Sequence, residues 1–381
     1  MKLEELKKLR IAFVHDWLTG MRGGENVLEQ MIHVLGPRDL YTLVSIEDKL
    51  SDTIRSCNII PSFLNKFPFA KTKHQLFLPL FPLAIESFDF SDYDVVISSS
   101  TCVARGVITR SHTFHYSYVN TPVRYAWDFS KIYQASLKPR YLIDIVWPVF
   151  MHYLRMWDVA AVPRVDHYTG NSKNVSRRIK KIYKCDSEFI HPPVDTERFT
   201  IGDERENYFF ILSALVPYKR VDLAVRACVE LGIPLKVAGV GSEESNLREL
   251  AGSGDVEFLG RVGYEEAVEL YQKAKGFLFP GEEDFGITPL EAQACGTPVV
   301  AYGRGGALET IVDQKTGIHF GEQSVKSLKE AIIQLQNMEF DRSLLRSHAL
   351  TFDNACFRKQ FAESVCTSYQ KYISSMDDAG L

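Results

Sequence analysis

The chain has 381 residues, too many for one hydrophobic core at ~150 residues per domain, so two or three domains are expected. Hydrophobic residues at 45% and charged residues at 24% exclude a disordered or fibrous chain, and a net charge of −4 excludes nucleic acid as the main partner, since phosphate-backbone binders carry a positive excess. Seven scattered cysteines, odd in number and without a C-x-x-C pair, point to buried thiols in a reducing, cytoplasmic compartment.

The opening MKLEELKKLR is too charged for a signal peptide, and the first apolar run, Ile11 to Val14, reads as a strand. Met21-Arg22-Gly23-Gly24-Glu25 follows and opens a helix to Leu35, a strand-turn-helix whose glycines serve structure as readily as a ligand. No acidic side chain occurs from Thr53 to Ile85 or from Val95 to Trp127. Within the first of these tracts, FLNKFPFAKTKHQLFLPLFPLA mixes Lys66, Lys71 and Lys73 with phenylalanines, leucines and prolines. It reads either as a packed, proline-broken helix pair or as a surface for anionic lipid or a lipid-linked acceptor. Asp92-Tyr93-Asp94 imitates a metal-binding D-x-D but directly precedes the strand VVISS, so no metal is expected there. HYSYV is the next strand, with His112 and His115 read as structural. The longest apolar stretch, Tyr141 to Leu154, is interrupted by Asp144 and Pro148 and falls short of the ~20 residues that span a bilayer. Lys173 to Lys184 is a basic helix, read as a solvated face.

At His191-Pro192-Pro193-Val194-Asp195 regular structure stops, because adjacent prolines end both helix and strand. The alternation then restarts with YFFILSA, a helix from Asp222 to Leu231, PLKVAGV, a helix near Glu243 to Leu250, and VEFLG. It continues through a helix from Glu265 to Ala274, strand GFLFP, helix Pro289 to Cys295, strand PVVAY and helix Leu328 to Gln336. From Phe352 onward, Phe357, Phe361, Val365, Tyr369 and Tyr372 recur near helical spacing. The order predicts an α/β protein with two doubly wound domains, 1–190 and 191–352, facing a cleft, and a helix over 353–381 packing back on the first.

The most informative segment is FLFPGEEDFGITPLEAQACGTPVVAY, residues 277–302. A buried strand runs into a loop holding Glu282, Glu283 and Asp284, and a helix is expected to open at Thr288-Pro289 and close at Gly296. Thr288-x-x-Glu291 fits a capping box, which would make Glu291 structural. Glu283 has no evident structural partner in its loop. Carboxylates on both sides of a strand-to-helix turn suit sugar and ribose hydroxyls, while Phe285-Gly286-Ile287 offers backbone N–H groups to phosphate.

Glu, seven residues, Glu, with an internal Phe-Gly and a following A-C-G-T-P-V-V, resembles the signature of retaining glycosyltransferases of family four, which have the two-domain GT-B fold. The resemblance extends over nearly the whole chain. It implies that Glu283 contacts the donor sugar, that Glu291 holds the ribose, and that Asp284, Phe285, Gly286 and Ile287 line the donor. Gly23 and Gly24 match the family's glycine pair beside the donor phosphates and acceptor, Gly239-Val240-Gly241 its turn near the nucleotide, and Arg261 and Val262 the neighbours of the base. Lys219 would neutralise the leaving diphosphate, with Arg220 standing where the family has glycine and Ala214 where it has arginine; Arg220 is expected to replace part of that clamp. Tyr116 to Asp128 resembles the H-T-P-x-R-Y-x-W-D stretch of bacterial polysaccharide mannosyltransferases, with Asn120 in the histidine's place and Arg124, Tyr125 and Trp127 on the acceptor side. Asparagine can hydrogen-bond a sugar hydroxyl but cannot titrate.

The resemblance further implies GDP-mannose as donor, a polyprenyl-linked oligosaccharide of O-antigen or lipopolysaccharide assembly as acceptor, no metal or other cofactor, and a location at the cytoplasmic face of the inner membrane. A UDP-sugar donor and a nucleotide-sugar-binding GT-B domain without turnover remain alternatives, the second motivated by Asn120 and Ala214.

Overall fold

The computed structural model describes residues 1–136 and 140–378. The chain divides into two compact units, Met1–Pro192 with Phe357–Leu381, and Pro193–Cys356.

The first unit is built on β1 (Ile11–His15), β2 (Asp39–Thr42), β3 (Asn58–Pro61), β4 (Val95–Ser100), β5 (Phe114–Val119), β6 (His167–Gly170) and β7 (Glu188–Phe189). They pair in parallel in the order β3-β2-β1-β4-β5-β6-β7. Every residue of β1, β4 and β5 is buried, as in strands covered on both faces, and His15, Ser98, Ser99, Ser100, His115 and Ser117 are buried along with the apolar residues. Phe13, Ile97 and Tyr116 enter one core with the helix Gly23–Leu35, whereas Ala12, Val14 and Val96 enter another with Phe81 and Phe90. The helix Asn354–Asp378 belongs to the former: Phe357, Phe361, Val365 and Tyr372 pack there, with Phe361 edge-on to Tyr116 at 5.8 Å.

The second unit carries β8 (Phe209–Leu212), β9 (Leu235–Ala238), β10 (Val256–Gly260), β11 (Gly276–Phe279), β12 (Val299–Tyr302) and β13 (Gly317–Phe320). Their order is β10-β9-β8-β11-β12-β13, again parallel throughout. Phe209, Val237 and Leu278 face one core, and Phe210, Ala238 and Phe277 the other.

The structure adds to two of the sequence readings. The strands β2, β3, β6, β7 and β13, which flank the central strands of the two sheets, add to the alternation read from sequence. Pro148, which interrupts the apolar stretch, lies within one helix, Arg140–Ala160, on its exposed side, where the carbonyl deprived of its N–H partner can turn to water. The basic tract Phe63–Glu86 is a series of short helical turns joined at prolines.

Phe361 is fully buried, so Phe361→Ala should destabilise the first unit by about 3–5 kcal/mol, read as a lowered urea midpoint.

Candidate functional site

A wholly parallel sheet sends every strand's carboxyl end to the same edge, and in open α/β sheets ligands bind there. In the second unit the loops after β8, β9, β10, β11 and β12 therefore bring Lys219 and Arg220, Gly239–Gly241, Arg261 and Val262, Glu283–Ile287, and Gly305-Gly306 to one edge.

The central contact joins the loops after β8 and β11. The Lys219 ammonium donates to Glu283 Oε1, with side-chain exposures of 15% and 21%, so Glu283 does have a partner in the fold. Sequence reading missed it because 64 residues separate the two. The loops also meet through backbone: a Cβ on Gly281 would lie 3.0 Å from Lys219 Cα. From the far side, Gly306 N–H donates to Glu283 O at 2.8 Å, and a Cβ on Gly305 would lie 2.3 Å from that same oxygen. Gly305 and Gly306 went unremarked in the sequence, although G-R-G-G directly after a buried strand is a usable signal. Gly239 and Gly241 play the same part beside β8, where added Cβ atoms would strike Ser213 O at 1.8 Å and Leu215 O at 2.1 Å.

Arg220 has φ +53°, the left-handed region that favours glycine. Its guanidinium is held by Asp222 through Nε–Oδ1 at 3.0 Å and Nη2–Oδ2 at 3.2 Å. Ala214 is exposed in the turn before Lys219, and Arg261 is exposed after β10 while Val262 tucks partly into the core.

The capping box does not form. Gly286, at φ +95°, ends the loop and lets the helix start at Ile287, so Thr288 and Pro289 lie inside the first turn and no side chain caps it. Glu291 instead accepts from Tyr271 Oη at 3.0 Å, and burial pushes its carboxyl up to about 7, against the opposing effects of the Tyr271 bond and Arg198. Phe285 is 3% exposed and packs on Phe352, with Val194 and Leu290 in the same cluster, so only its backbone can face a ligand. Asp284 is also buried.

In the first unit, Gly23 and Gly24 open the helix after β1, and a Cβ on Gly24 would lie 3.5 Å from the His15 ring and 3.8 Å from Asn120 Nδ2. Asn120, just past β5, donates to Ser99 Oγ at 3.1 Å. Three residues here escaped the sequence reading. His15 is buried beside Gly24, and burial lowers its imidazole to about 4, so it is neutral at pH 7. Asp16 is buried and accepts the backbone N–H groups of Thr101, Cys102, Val103 and Ala104, tying the end of β1 to the loop after β4. Glu25 is 4% exposed with its carboxyl pushed up to about 7 by burial. The signal was two polar residues, His15-Asp16, ending a buried strand.

Arg124 lies over the Phe129 ring at 5.3 Å. The polar atoms of its two neighbours in the motif point inward: Tyr125 Oη bonds Cys102 Sγ, and Trp127 Nε1 donates to Asp158 Oδ2 at 2.8 Å. Asp158 in turn pairs with buried Arg105, whose guanidinium also covers the Tyr183 ring at 4.1 Å. His115 is held between Ser98 Oγ and Arg164 O, each at 2.9 Å, and Asp94 of the D-x-D imitation is clamped by Arg10. Among the described residues no group of three or more His, Cys, Asp or Glu could hold a metal ion.

Residues 194–349, within the second unit, match the family described as "Glycosyl transferases group 1". Similar curated proteins include the D-inositol 3-phosphate glycosyltransferase of Mycobacteroides abscessus, 30% identical over 56% of this chain and 53% of the relative. Another is the GDP-mannose-dependent monoacylated alpha-(1-6)-phosphatidylinositol monomannoside mannosyltransferase of Corynebacterium glutamicum, 33% identical over 45% of this chain and 53% of the relative. The chain thus spans about half the length of the curated relatives it matches. Among solved structures, sucrose-phosphate synthase from Thermosynechococcus elongatus aligns with TM-score 0.69 at 16% identity, covering 96% of this chain and 99% of that one. An Anabaena protein in complex with UDP and glucose aligns with TM-score 0.64 at 14% identity, covering 94% and 99%. The two Rossmann-like sheets are those of the GT-B fold.

Two outcomes follow from the geometry. Because the Glu291 carboxyl is raised in the folded state, the stability its protonated form contributes is complete below pH 4.5 and lost as pH rises through about 7. Glu291→Gln should remove that slope and, at pH 8, stabilise the second unit by on the order of 2 kcal/mol in urea melts across pH. At position 220 both Arg220→Gly and Arg220→Ala lose the Asp222 contact, so their difference isolates the backbone: glycine should be the more stable by about 1 kcal/mol.

Proposed function

We infer that this chain is a retaining glycosyltransferase that moves mannose from GDP-mannose to a lipid-linked saccharide in cell-surface polysaccharide assembly. The observation that carries the reading is the Lys219–Glu283 pair at the carboxyl edge of the second sheet, inside the segment that matches the group 1 glycosyltransferases. Two features support the finer assignment: the H-T-P-x-R-Y-x-W-D-like stretch at 120–128, and a relative whose name specifies GDP-mannose and a phosphatidylinositol-linked acceptor.

In this reaction the acceptor hydroxyl attacks the anomeric carbon on the face from which the nucleotide departs. The bond from that carbon to the phosphate oxygen breaks, and the hydroxyl proton passes to the leaving diphosphate. The protein needs no strong base; it supplies position and charge. Lys219 and Arg220 neutralise the diphosphate, Glu283 accepts from hydroxyls of the transferred sugar, and Glu291 from the ribose. The backbone of Gly241, Asp284, Phe285, Gly286 and Ile287 borders the donor, with Arg261 and Val262 beside its base. On the first sheet, Asn120, Gly23 and Gly24 attend the sugar, with neutral His15 as a further hydrogen-bonding group, and Arg124, Tyr125 and Trp127 form the acceptor side.

The test is a panel of GDP- and UDP-sugars with polyprenyl-diphosphate-linked acceptors, read by mass spectrometry and by the anomeric configuration of the product. Release of GDP from GDP-mannose with retention is the expected result. Turnover of a UDP-sugar instead would overturn the donor assignment, binding without turnover on any acceptor would make the chain a non-catalytic domain, and binding of neither class would sink the proposal. Glu283→Gln should lower kcat/KM by about 100- to 1,000-fold with an unchanged circular dichroism spectrum.

A further inference from the structure

The first unit leaves large apolar side chains in water in two places. Along the helix Arg140–Ala160, Ile145 (71% exposed), Val149 (70%) and Met156 (53%) form a stripe with Val146, Tyr153 and Val159. From Ile145 to Ala160 no exposed side chain on this helix carries a fixed charge: Asp158 is buried, and Arg155 is half-buried and donates to Ala126 O at 2.9 Å. The second place is the turn series Phe63–Leu83, where Phe69 (72% exposed), Leu76 (71%), Leu83 (59%) and Phe67 (43%) are interleaved with exposed Lys66, Lys71 and Lys73. Phe69 has φ +64°, a left-handed backbone that a bulky aromatic rarely adopts and that stores strain where the ring is displayed.

The two places adjoin. Leu78, on the same turn as Leu76, packs in one cluster with Met151 and Leu154 of the long helix and in another with Trp157. In the turn series the apolar surface is thus bordered by cations and, from Thr53 to Ile85, by no acid at all, in a chain whose net charge is −4; on the helix the exposed carboxylate nearest the stripe is Asp144, which accepts from Gln134. Charge decides the occupant. A second copy in a two-fold contact would set Lys66, Lys71 and Lys73 against themselves, whereas an anionic bilayer offers these lysines phosphate groups and the rings an acyl boundary. No described helix is long and apolar enough to cross a membrane, so the contact would be interfacial.

We propose that the first unit docks on anionic lipid through Phe63–Leu83 and the outer stripe of the helix Arg140–Ala160, with Phe67, Phe69, Leu76, Ile145 and Val149 entering the interface and Lys66, Lys71 and Lys73 binding headgroups. The inference stands apart from the proposed reaction, since its readout is partitioning rather than turnover. Flotation of the full chain with vesicles of phosphatidylcholine alone, or with equal parts phosphatidylglycerol, should give binding only to the anionic vesicles, weakened by salt. Phe69→Ser with Leu76→Ser, and separately Ile145→Ser with Val149→Ser, should each reduce partitioning about tenfold or more. Replacing Lys66, Lys71 and Lys73 by alanine should reduce it by about fivefold per lysine, and melting temperatures should hold because every changed side chain is exposed. Absence of binding to anionic vesicles overturns the proposal. So does a wild-type dimer, seen by sedimentation, that the Ile145 and Val149 changes convert to monomer without altering vesicle binding.

Discussion

One ion pair organises the carboxyl edge of the second sheet. Lys219 and Glu283 come from loops that leave adjacent strands, β8 and β11, and each is mostly withdrawn from solvent. Removing either partner would strand a charge in a poorly solvated place, which is far less favourable than keeping or deleting both. The pair also explains the surrounding glycines. Gly281 allows the β11 loop to reach the Lys219 backbone, and Gly305 and Gly306 bring the β12 loop against the carbonyl of Glu283. Contacts of 2–3 Å from a virtual Cβ to backbone cannot be relieved by a rotamer change, so the loop path depends on these glycines. In the proposed reaction the same ammonium would be shared between Glu283 and an incoming diphosphate, coupling donor binding to release of the carboxylate toward the sugar.

Around the edges of both sheets the titratable groups divide by solvation. Glu25 and Glu291 are raised to about 7 by burial, and His15 is lowered to about 4, so all three lean towards their neutral forms. Neutral groups that still hydrogen-bond suit hydroxyl-rich ligands, and in the second unit Lys219, Glu283 and Arg220 add charge. Within the first unit, Asp16 ties the end of β1 to the loop after β4 with four N–H bonds, and Asp158 joins Arg105, Tyr183 and Trp127 in one buried polar group. A buried polar cluster with its partners satisfied stiffens the backbone it connects.

Arg220 illustrates how a departure from a family pattern can be physically absorbed. The family that the sequence resembles has glycine at this point, and the chain here does adopt a left-handed conformation, which arginine tolerates at some strain while its guanidinium rests on Asp222. Asn120 is a milder departure, since the amide is anchored by Ser99 and stands beside Gly24 and the His15 ring. An imidazole is therefore present near position 120 after all, contributed by β1.

The amino-acid sequence by itself determined the α/β class, the central strands of both sheets and the segment 277–302 as the place to look, because buried parallel strands and strand-to-helix turns leave local, periodic traces. The strands β2, β3, β6, β7 and β13 left no such trace. It also marked Lys219 and Glu283 individually, but not that they touch across 64 residues. It placed a helix start at Thr288-Pro289, which Gly286 moved to Ile287, and of the two roles it offered Glu291 the capping one gave way to a bond from Tyr271. His15, Asp16 and the glycines at 305 and 306 became meaningful only once their neighbours were known. The division has one physical cause: strand and helix propensity act over a few residues, whereas burial, charge pairing and close backbone approach are properties of neighbours in space, which only the folded chain defines.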